Sequence, residues 1–187
     1  MSSPHLKLAK SYWQNHLKSC DLAIDATCGN GHDTLFLAEL CSVIGIDIQP
    51  RAIQNTAALL EQHQRKAVLQ RLSHAHIDTL PLPHPPRLII YNLGYLPQGD
   101  KSITTQTAST LESVNHSLAL LAPDGALSIT CYPGHEEGQR EEKALETWAA
   151  ALPSPRWSVC HHKWLNRPRS PSLLWICSMP IDQMCAQ

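Results

Sequence analysis

The run Asp25-Ala26-Thr27-Cys28-Gly29-Asn30-Gly31-His32-Asp33-Thr34 follows an apolar stretch and carries two glycines one residue apart. Glycines at such a place let the backbone turn sharply and let a ligand approach without a Cβ in the way. A second apolar run, Val43-Ile44-Gly45-Ile46, ends in Asp47. That acid falls about twenty residues on, where a carboxylate that holds ribose hydroxyls is expected. A dinucleotide and S-adenosylmethionine are the two ligand classes that suit this pattern. A dinucleotide loop wants glycine at the third position of G-x-G-x-x-G, and here that position is Thr34. Asp25 and Asp33 flank the loop and would repel a pyrophosphate, which prefers bare N–H groups at a helix start. A sulfonium and an ammonium are drawn to the same acids, so the charge pattern favours S-adenosylmethionine. A tight turn with no ligand is the plain alternative.

These residues need a scaffold that brings strand ends together. Apolar runs that read as buried strands cover 22–26, 42–48, 87–92, 126–132, 157–161 and 173–177, with a weaker one at 67–71. Helical patterns lie between them at 33–40, 51–64, 103–121 and 139–152, and an amphipathic stretch at 6–17 precedes the first strand. Strands alternating with helices predict an α/β fold, a mostly parallel sheet with helices on both faces. The last two runs have no helix between them and predict an antiparallel pair. Pro50 can open a helix at its first turn. Pro123-Asp124-Gly125 reads as a turn, and Pro81, Pro83, Pro85 and Pro86 make a stiff connector.

Composition narrows the function classes. The 187 residues are 43% hydrophobic and 17% charged, which suits one domain over 1–187. In that reading 1–20 is a helical extension and 181–187 a disordered tail. Lys+Arg number 15 and Asp+Glu 16, for a net charge of -1, so a strongly basic coat for nucleic acid is excluded. No apolar run approaches the roughly 18 residues of a membrane span. MSSPHLKLAK lacks an apolar signal core, and the 7 cysteines are scattered without a C-x-x-C pair. A cytoplasmic protein with free thiols and no metal site is the expectation.

Three more groups of residues merit chemistry. Asn92-Leu93-Gly94-Tyr95 closes the run at 87–92, where ligands sit in open sheets. Asp100 and Lys101 follow, either as helix caps or as a proton acceptor and a phosphate contact. His135 lies at another strand end, and an imidazole there is a candidate base. Glu136 and Glu137 can start a helix, and the acidic stretch to Glu146 reads as a solvated face. From Arg156 to Pro180 there are Arg156, Lys163, Arg167 and Arg169 and no acids, with Trp157, Trp164 and Trp175 interleaved. Cations neutralise phosphate and aromatics stack on unpaired bases, and Trp164, on a loop, is the better stacking candidate.

Three motifs together resemble one family: Asp25–Thr34, Asn92–Lys101 and Tyr132-Pro133-Gly134-His135-Glu136-Glu137-Gly138. They resemble class I S-adenosylmethionine-dependent methyltransferases of the family labelled putative rRNA methylases, also called YtqB-like or MnmM. Members are implicated in methylating 5-aminomethyl-2-thiouridine at the tRNA wobble position. The resemblance covers nearly the whole chain. Asn166-Arg167-Pro168 is similar to an Asn-x-Pro element of the family, although the prolines after it are displaced. The resemblance implies a Rossmann-like sheet of seven strands with an antiparallel last strand, a homodimer, and a tRNA anticodon stem-loop as partner, with neither DNA nor membrane involved. It also implies a division of labour. Asp25, Thr27, Gly29, Asn30, Gly31, Asp33 and Thr34 line the methionine end of the cofactor, Asp47 holds the ribose, and Ile48 and His76 flank the adenine. Asn92 and Leu93 border both cofactor and amine, through the Asn92 side-chain carbonyl and the Leu93 backbone carbonyl. Tyr95 stacks or walls the pocket, and Asp100 or His135 is the base. Lys101, Lys163, Trp164, Arg167 and Arg169 meet the RNA.

The implied reaction is an in-line displacement in which an amine lone pair attacks a methyl carbon and the sulfur leaves neutral. Alignment supplies much of the acceleration. The amine must be unprotonated, although an alkylamine resembles lysine with a pKa of about 10.4. Other acceptors (rRNA, a protein, a small amine) and a non-catalytic nucleotide-binding module are the alternatives.

Overall fold

The computed structural model describes residues 3–94 and 105–179. The helices are α1 (Pro4–His16), α2 (His32–Ala38), α3 (Pro50–Gln62), α4 (Thr107–Leu120) and α5 (Glu136–Ala150). The strands are β1 (Leu22–Asp25), β2 (Ser42–Asp47), β3 (Val68–Arg71), β4 (Leu88–Asn92), β5 (Ala126–Cys131), β6 (Trp157–His162) and β7 (Ser172–Ser178), and a 3-10 turn spans His74–Thr79. They form one seven-stranded sheet in the order β3-β2-β1-β4-β5-β7-β6. All neighbours among the first five pair in parallel, whereas β7 runs antiparallel to both β5 and β6. The expected α/β architecture is therefore present, with the hairpin placed so that β7 is inserted beside β5.

Both sheet faces are dry. Ile24, Ile46, Ile89, Tyr91, Leu127 and Ile129 pack under the 3-10 turn, α4 and α5, while Ala23, Val43, Leu88, Ile90 and Ala126 pack under α1 and α2. Strands covered on both sides read as unbroken apolar runs, which is why their positions are legible. Two buried hydrogen bonds fasten helices to strands. Trp13 Nε1 donates to Ser128 Oγ at 2.8 Å, pinning α1 to β5, so the predicted extension is a packed part of the fold. The Tyr91 hydroxyl meets Ser113 Oγ at 2.6 Å and Ser117 Oγ at 2.7 Å, pinning α4 to β4.

Helix α5 begins before the predicted residue 139, because His135 caps it: its ring Nδ1 accepts the Gly138 N–H at 3.1 Å. The acidic stretch is not the solvated face that its composition suggests. Glu141 and Glu142 are buried, and both are held by partners from distant chain segments. Glu141 accepts the Thr110 hydroxyl at 2.6 Å and the Thr105 hydroxyl at 2.9 Å, and Glu137 accepts the Thr107 N–H at 3.2 Å. A carboxylate from α5 thus caps the start of α4, whose own Gln106 makes no side-chain cap.

The strand order reverses between β1 and β4, and a crevice opens there at the carboxyl ends. Gly31 sits at the start of α2, against α3. It adopts φ +84°, and a Cβ on it would lie 2.7 Å from the Thr56 Cα on α3. The glycine is required by the crossing of two helices as much as by the turn. Gly31→Ala is therefore expected to cost at least about 2 kcal/mol, from overpacking and a left-handed backbone together. Urea denaturation checks this, and a loss below about 0.5 kcal/mol would contradict it.

Candidate functional site

The loop after β1 is built around one carboxyl. Asp25 has no exposed surface; its oxygens accept the Thr34 hydroxyl at 2.6 Å and the Thr27 N–H at 3.2 Å. Thr34 is likewise fully buried. These residues do not line the crevice, as the motif leads one to expect; they fold the loop from beneath. Burial, with Asp33 and Asp47 nearby, raises the Asp25 pKa to about 7. Thr27 passes the constraint on, because its hydroxyl accepts the Asn92 N–H at 2.7 Å and so ties the loop to the end of β4.

On the β2 side, Asp47 reaches across to the loop. Its Oδ2 accepts the Gly29 N–H at 3.0 Å and its Oδ1 the Gln49 N–H at 2.9 Å. A carboxylate has about four acceptor positions, so Asp47 keeps acceptor capacity for a ligand hydroxyl. Burial nonetheless raises its pKa. Ile48 beside it is 55% exposed, an apolar side chain presented at the mouth. His76 is exposed at a kink in the 3-10 turn, with φ -104° and ψ 27°. Helix α3 secures the far side of the loop: Asn55 Nδ2 donates to Asn30 Oδ1 at 2.9 Å, and Thr56 Oγ1 to the Gly29 carbonyl at 3.3 Å.

On the β4 side sits the most directed group. Asn92 Nδ2 donates to Asp33 Oδ2 at 2.7 Å, and Lys10 from α1 pairs with Asp33 Oδ1 at 3.1 Å. An ionised carboxylate only accepts, so the amide must turn its NH2 toward Asp33 and its oxygen away. That oxygen, Asn92 Oδ1, is buried and has no hydrogen-bond partner among the described residues. A buried acceptor without a donor costs free energy unless something else supplies one. Asp33 is thus placed to orient Asn92, where the motif suggests a cofactor contact. Gly94 follows with φ +113°; its N–H donates to Thr105 Oγ1 at 2.8 Å and its carbonyl accepts the Thr105 N–H at 3.0 Å. Tyr95, Asp100 and Lys101 lie outside the described residues.

The remaining predicted residues divide. His135 Nδ1 already accepts the Gly138 N–H, so neutral His135 carries its proton on Nε2 and has no spare lone pair for a base. Lys163 is engaged by Glu146 at 2.6 Å and Glu142 at 3.2 Å, so its charge is compensated rather than offered to phosphate. Trp164 is 39% exposed, and Arg167 and Arg169 are exposed with no salt bridge to a described residue. Trp157 and Trp175 are buried, as strand positions lead one to expect. Sequence reasoning misses Lys10, Asn55 and Thr56. Thr56 leaves a faint trace, since Ala52, Thr56 and Leu60 share the buried face of α3 and a threonine among them stands out.

A reversed parallel sheet, a glycine turn at its switch point and an acid at the end of β2 define a Rossmann-like protein that binds a nucleotide-type cofactor. The profile of the putative rRNA methylase family matches residues 43–178. The chain is 35% identical over 185 residues to the chloroplastic tRNA (mnm(5)s(2)U34)-methyltransferase of Arabidopsis thaliana, covering 91% of this chain and 68% of the relative. A solved putative rRNA-methylase from Clostridium thermocellum superposes with TM-score 0.90 at 30% identity, covering 96% of this chain and 100% of that one. A putative methyltransferase from Streptococcus mutans, solved in complex with SAH, gives TM-score 0.87 at 33% identity over the same shares. The chain belongs to the putative rRNA methylase family.

The buried Asp25 carries a pH signature. Its folded pKa of about 7 exceeds the unfolded value near 3.9. The folded state then binds more protons than the unfolded one between those values, so this group lowers stability as pH rises from about 4 to about 7. Asp25→Asn keeps the shape, can bond Thr27 and Thr34, and does not ionise. Its stability relative to the parent, by denaturant titration, should be more favourable at pH 8 than at pH 5. An equal difference at both pH values would contradict the assignment.

Proposed function

We propose that this protein transfers a methyl group from S-adenosylmethionine to the aminomethyl nitrogen of wobble 5-aminomethyl-2-thiouridine in tRNA, giving 5-methylaminomethyl-2-thiouridine. The protein is a methyltransferase, and S-adenosylmethionine is its cofactor, in line with the SAH held by its Streptococcus mutans neighbour. When bound, that cofactor supplies an electrophilic methyl group on a positive sulfur. The observation that carries the amine reading is the buried Asn92 Oδ1, an acceptor aimed by Asp33 and waiting for a donor. The printed activity of the Arabidopsis relative supports the tRNA substrate.

In this reading Asp47 holds the ribose hydroxyls, Ile48 and His76 flank the adenine, and Gly29, Asn30 and Thr27 border the methionine end. Asn92 Oδ1 and the Leu93 carbonyl accept the two amine hydrogens, which leaves the lone pair free to point at the methyl. Lys10 has an electrostatic task. A lone carboxylate at Asp33 would favour the ammonium form of the substrate, which cannot attack. The ion pair with Lys10 offsets that charge while leaving Asp33 able to hold Asn92. Asp100 is the candidate to take the departing proton, and Tyr95 walls the uracil. Trp164, Arg167 and Arg169 meet the anticodon stem-loop, with Lys101 a further candidate phosphate contact; Lys163 contributes by anchoring the loop of Trp164, Arg167 and Arg169 to α5 through Glu142 and Glu146. A single methyltransferase domain over 1–187, a homodimer and a cytoplasmic location belong to the same reading. The Arabidopsis relative is chloroplastic by name.

Two measurements test this. Cells lacking the protein should accumulate 5-aminomethyl-2-thiouridine in tRNA, read by nucleoside mass spectrometry; an unchanged profile would redirect the activity to another acceptor. The second is a swap. Asp33→Asn, pressed by Lys10, turns its NH2 toward Asn92 and flips that amide, lowering kcat by about a hundredfold with the KM for cofactor nearly unchanged. Adding Asn92→Asp restores an acceptor toward the amine but sets a carboxylate against it, which favours the ammonium form, so kcat should recover only in part and more fully as the pH is raised, whereas Asn92→Asp alone sets two carboxylates face to face and is the poorest variant. A double variant no better than the worse single one would contradict the relay.

A further inference from the structure

The peptide group between Leu93 and Gly94 is held from the side of the sheet opposite to the Asn92 side chain. Thr105, at the entry to α4, grips Gly94 twice. Its Oγ1 accepts the Gly94 N–H at 2.8 Å, and its own N–H donates to the Gly94 carbonyl at 3.0 Å. The Thr105 hydroxyl proton goes to Glu141 Oε2 at 2.9 Å, while Glu141 Oε1 takes the Thr110 hydroxyl at 2.6 Å. Burial raises the Glu141 pKa, and the two donated hydroxyls pull it back down. A carboxylate only accepts, so Glu141 draws the Thr105 proton to itself and leaves the Thr105 oxygen with lone pairs for Gly94.

The consequence falls on a neighbouring atom. The Gly94 N–H and the Leu93 carbonyl belong to one peptide group, and no cis bond occurs among the described residues. In a planar trans peptide the two point in opposite directions. Thr105 and Glu141 lie with α4 and α5, in the layer that packs on Tyr91. Asn92 reaches the other layer, where Asp33 opens α2 and Lys10 extends from α1. With its N–H turned to Thr105, the peptide turns the Leu93 carbonyl toward the Asn92 side. No described residue donates to that carbonyl. The Leu93 N–H is fixed as well, on the Thr130 carbonyl at 3.0 Å. The site therefore has two aimed acceptors: Asn92 Oδ1, set by Asp33, and the Leu93 carbonyl, set by Thr105.

We infer that Thr105, with its hydroxyl directed by Glu141, is a positioning residue that limits the reaction to a single methyl transfer. The inference rests on the amine-substrate reading above and adds product specificity to it. A neutral primary amine has two hydrogens and one lone pair. The two acceptors take the hydrogens and the lone pair meets the methyl. The N–C bond forms as the C–S bond breaks, and one proton then leaves the nitrogen. The neutral product has a single hydrogen. Bound again with its lone pair toward a fresh donor, it sets the methyl already present against one of the acceptors. A buried acceptor left without a donor slows the second transfer about tenfold or more. Without the Thr105 hydroxyl the peptide turns, the carbonyl leaves its place and the discrimination shrinks.

The test uses the full-length protein, S-adenosylmethionine and two anticodon hairpins, one carrying 5-aminomethyl-2-thiouridine and the other 5-methylaminomethyl-2-thiouridine. The parent protein should methylate the first with a kcat about tenfold or more above the second. Thr105→Val keeps the shape and the backbone bond to Gly94 but has no hydroxyl. Its kcat on the primary amine should fall about tenfold, and the ratio of the two kcat values should approach one, with the KM for S-adenosylmethionine unchanged. Thr105→Ser should restore both the rate and the ratio. Glu141→Gln accepts from only one of the two hydroxyls and should move the ratio in the same direction as Thr105→Val. A merely structural role would lower both rates together and leave their ratio alone. Equal kcat on the two hairpins in the parent, or a Thr105→Val ratio equal to the parent's, would overturn the inference. If neither hairpin is methylated although calorimetry shows SAH bound, the substrate reading itself fails, and this inference with it.

Discussion

A carboxyl group sealed from water at the end of β1 holds the crevice in shape. Asp25 takes the Thr34 hydroxyl and the Thr27 N–H, and Thr27 in turn takes the Asn92 N–H. The glycine loop and the start of α2 that follows it thereby share one fixed geometry with the end of β4, 65 residues further on. A buried acid is costly unless it is bonded or neutral. Here it is bonded, and burial raises its pKa. The glycines shape the loop, but this acid keeps it closed on β4.

Charge in the crevice is arranged by pairing. Asp25 lies beneath the loop, Asp47 crosses it, and Asp33 stands at the helix start with Lys10 against it. The result is a region that suits a positive sulfur donor without an unpaired carboxylate beside the amine. The polar network on α5 works the same way at a distance. Glu142 and Glu146 hold Lys163 and His161 at the end of β6, and Glu137 and Glu141 hold Thr105, Thr107 and Thr110 at the start of α4. Both segments that border the site are thus fastened to one helix.

Much of this was legible in the residues, for physical reasons. Strands buried on both faces are unbroken apolar runs, so β1, β2, β4 and β5 stood out within a residue or two. Asn92 stood out as a candidate because it is a polar residue ending such a strand, at the edge where ligands bind in open sheets. The motif marked the loop but not that the Asp25 and Thr34 side chains are buried beneath it, because a pattern of types does not say which side chains turn inward. The glutamates of α5 misled for a related reason. Residues four apart share a helix face, but whether that face meets water depends on Thr105, Ser172 and Lys163, which are remote in sequence. Lys10 carried no signal for this role; the packing of α1 on the sheet, through contacts such as Trp13 with Ser128 and Tyr12 with Trp175, brings it to Asp33.

The central claim is that Asp33 fixes the Asn92 amide so that its oxygen receives the substrate amine. A crystal structure with SAH and a hairpin bearing 5-aminomethyl-2-thiouridine tests it most directly. The amine nitrogen should lie about 3 Å from Asn92 Oδ1, with Asn92 Nδ2 still donating to Asp33. An amine that faces Asn92 Nδ2, or that lies beyond hydrogen-bond reach of Asn92, would contradict the account.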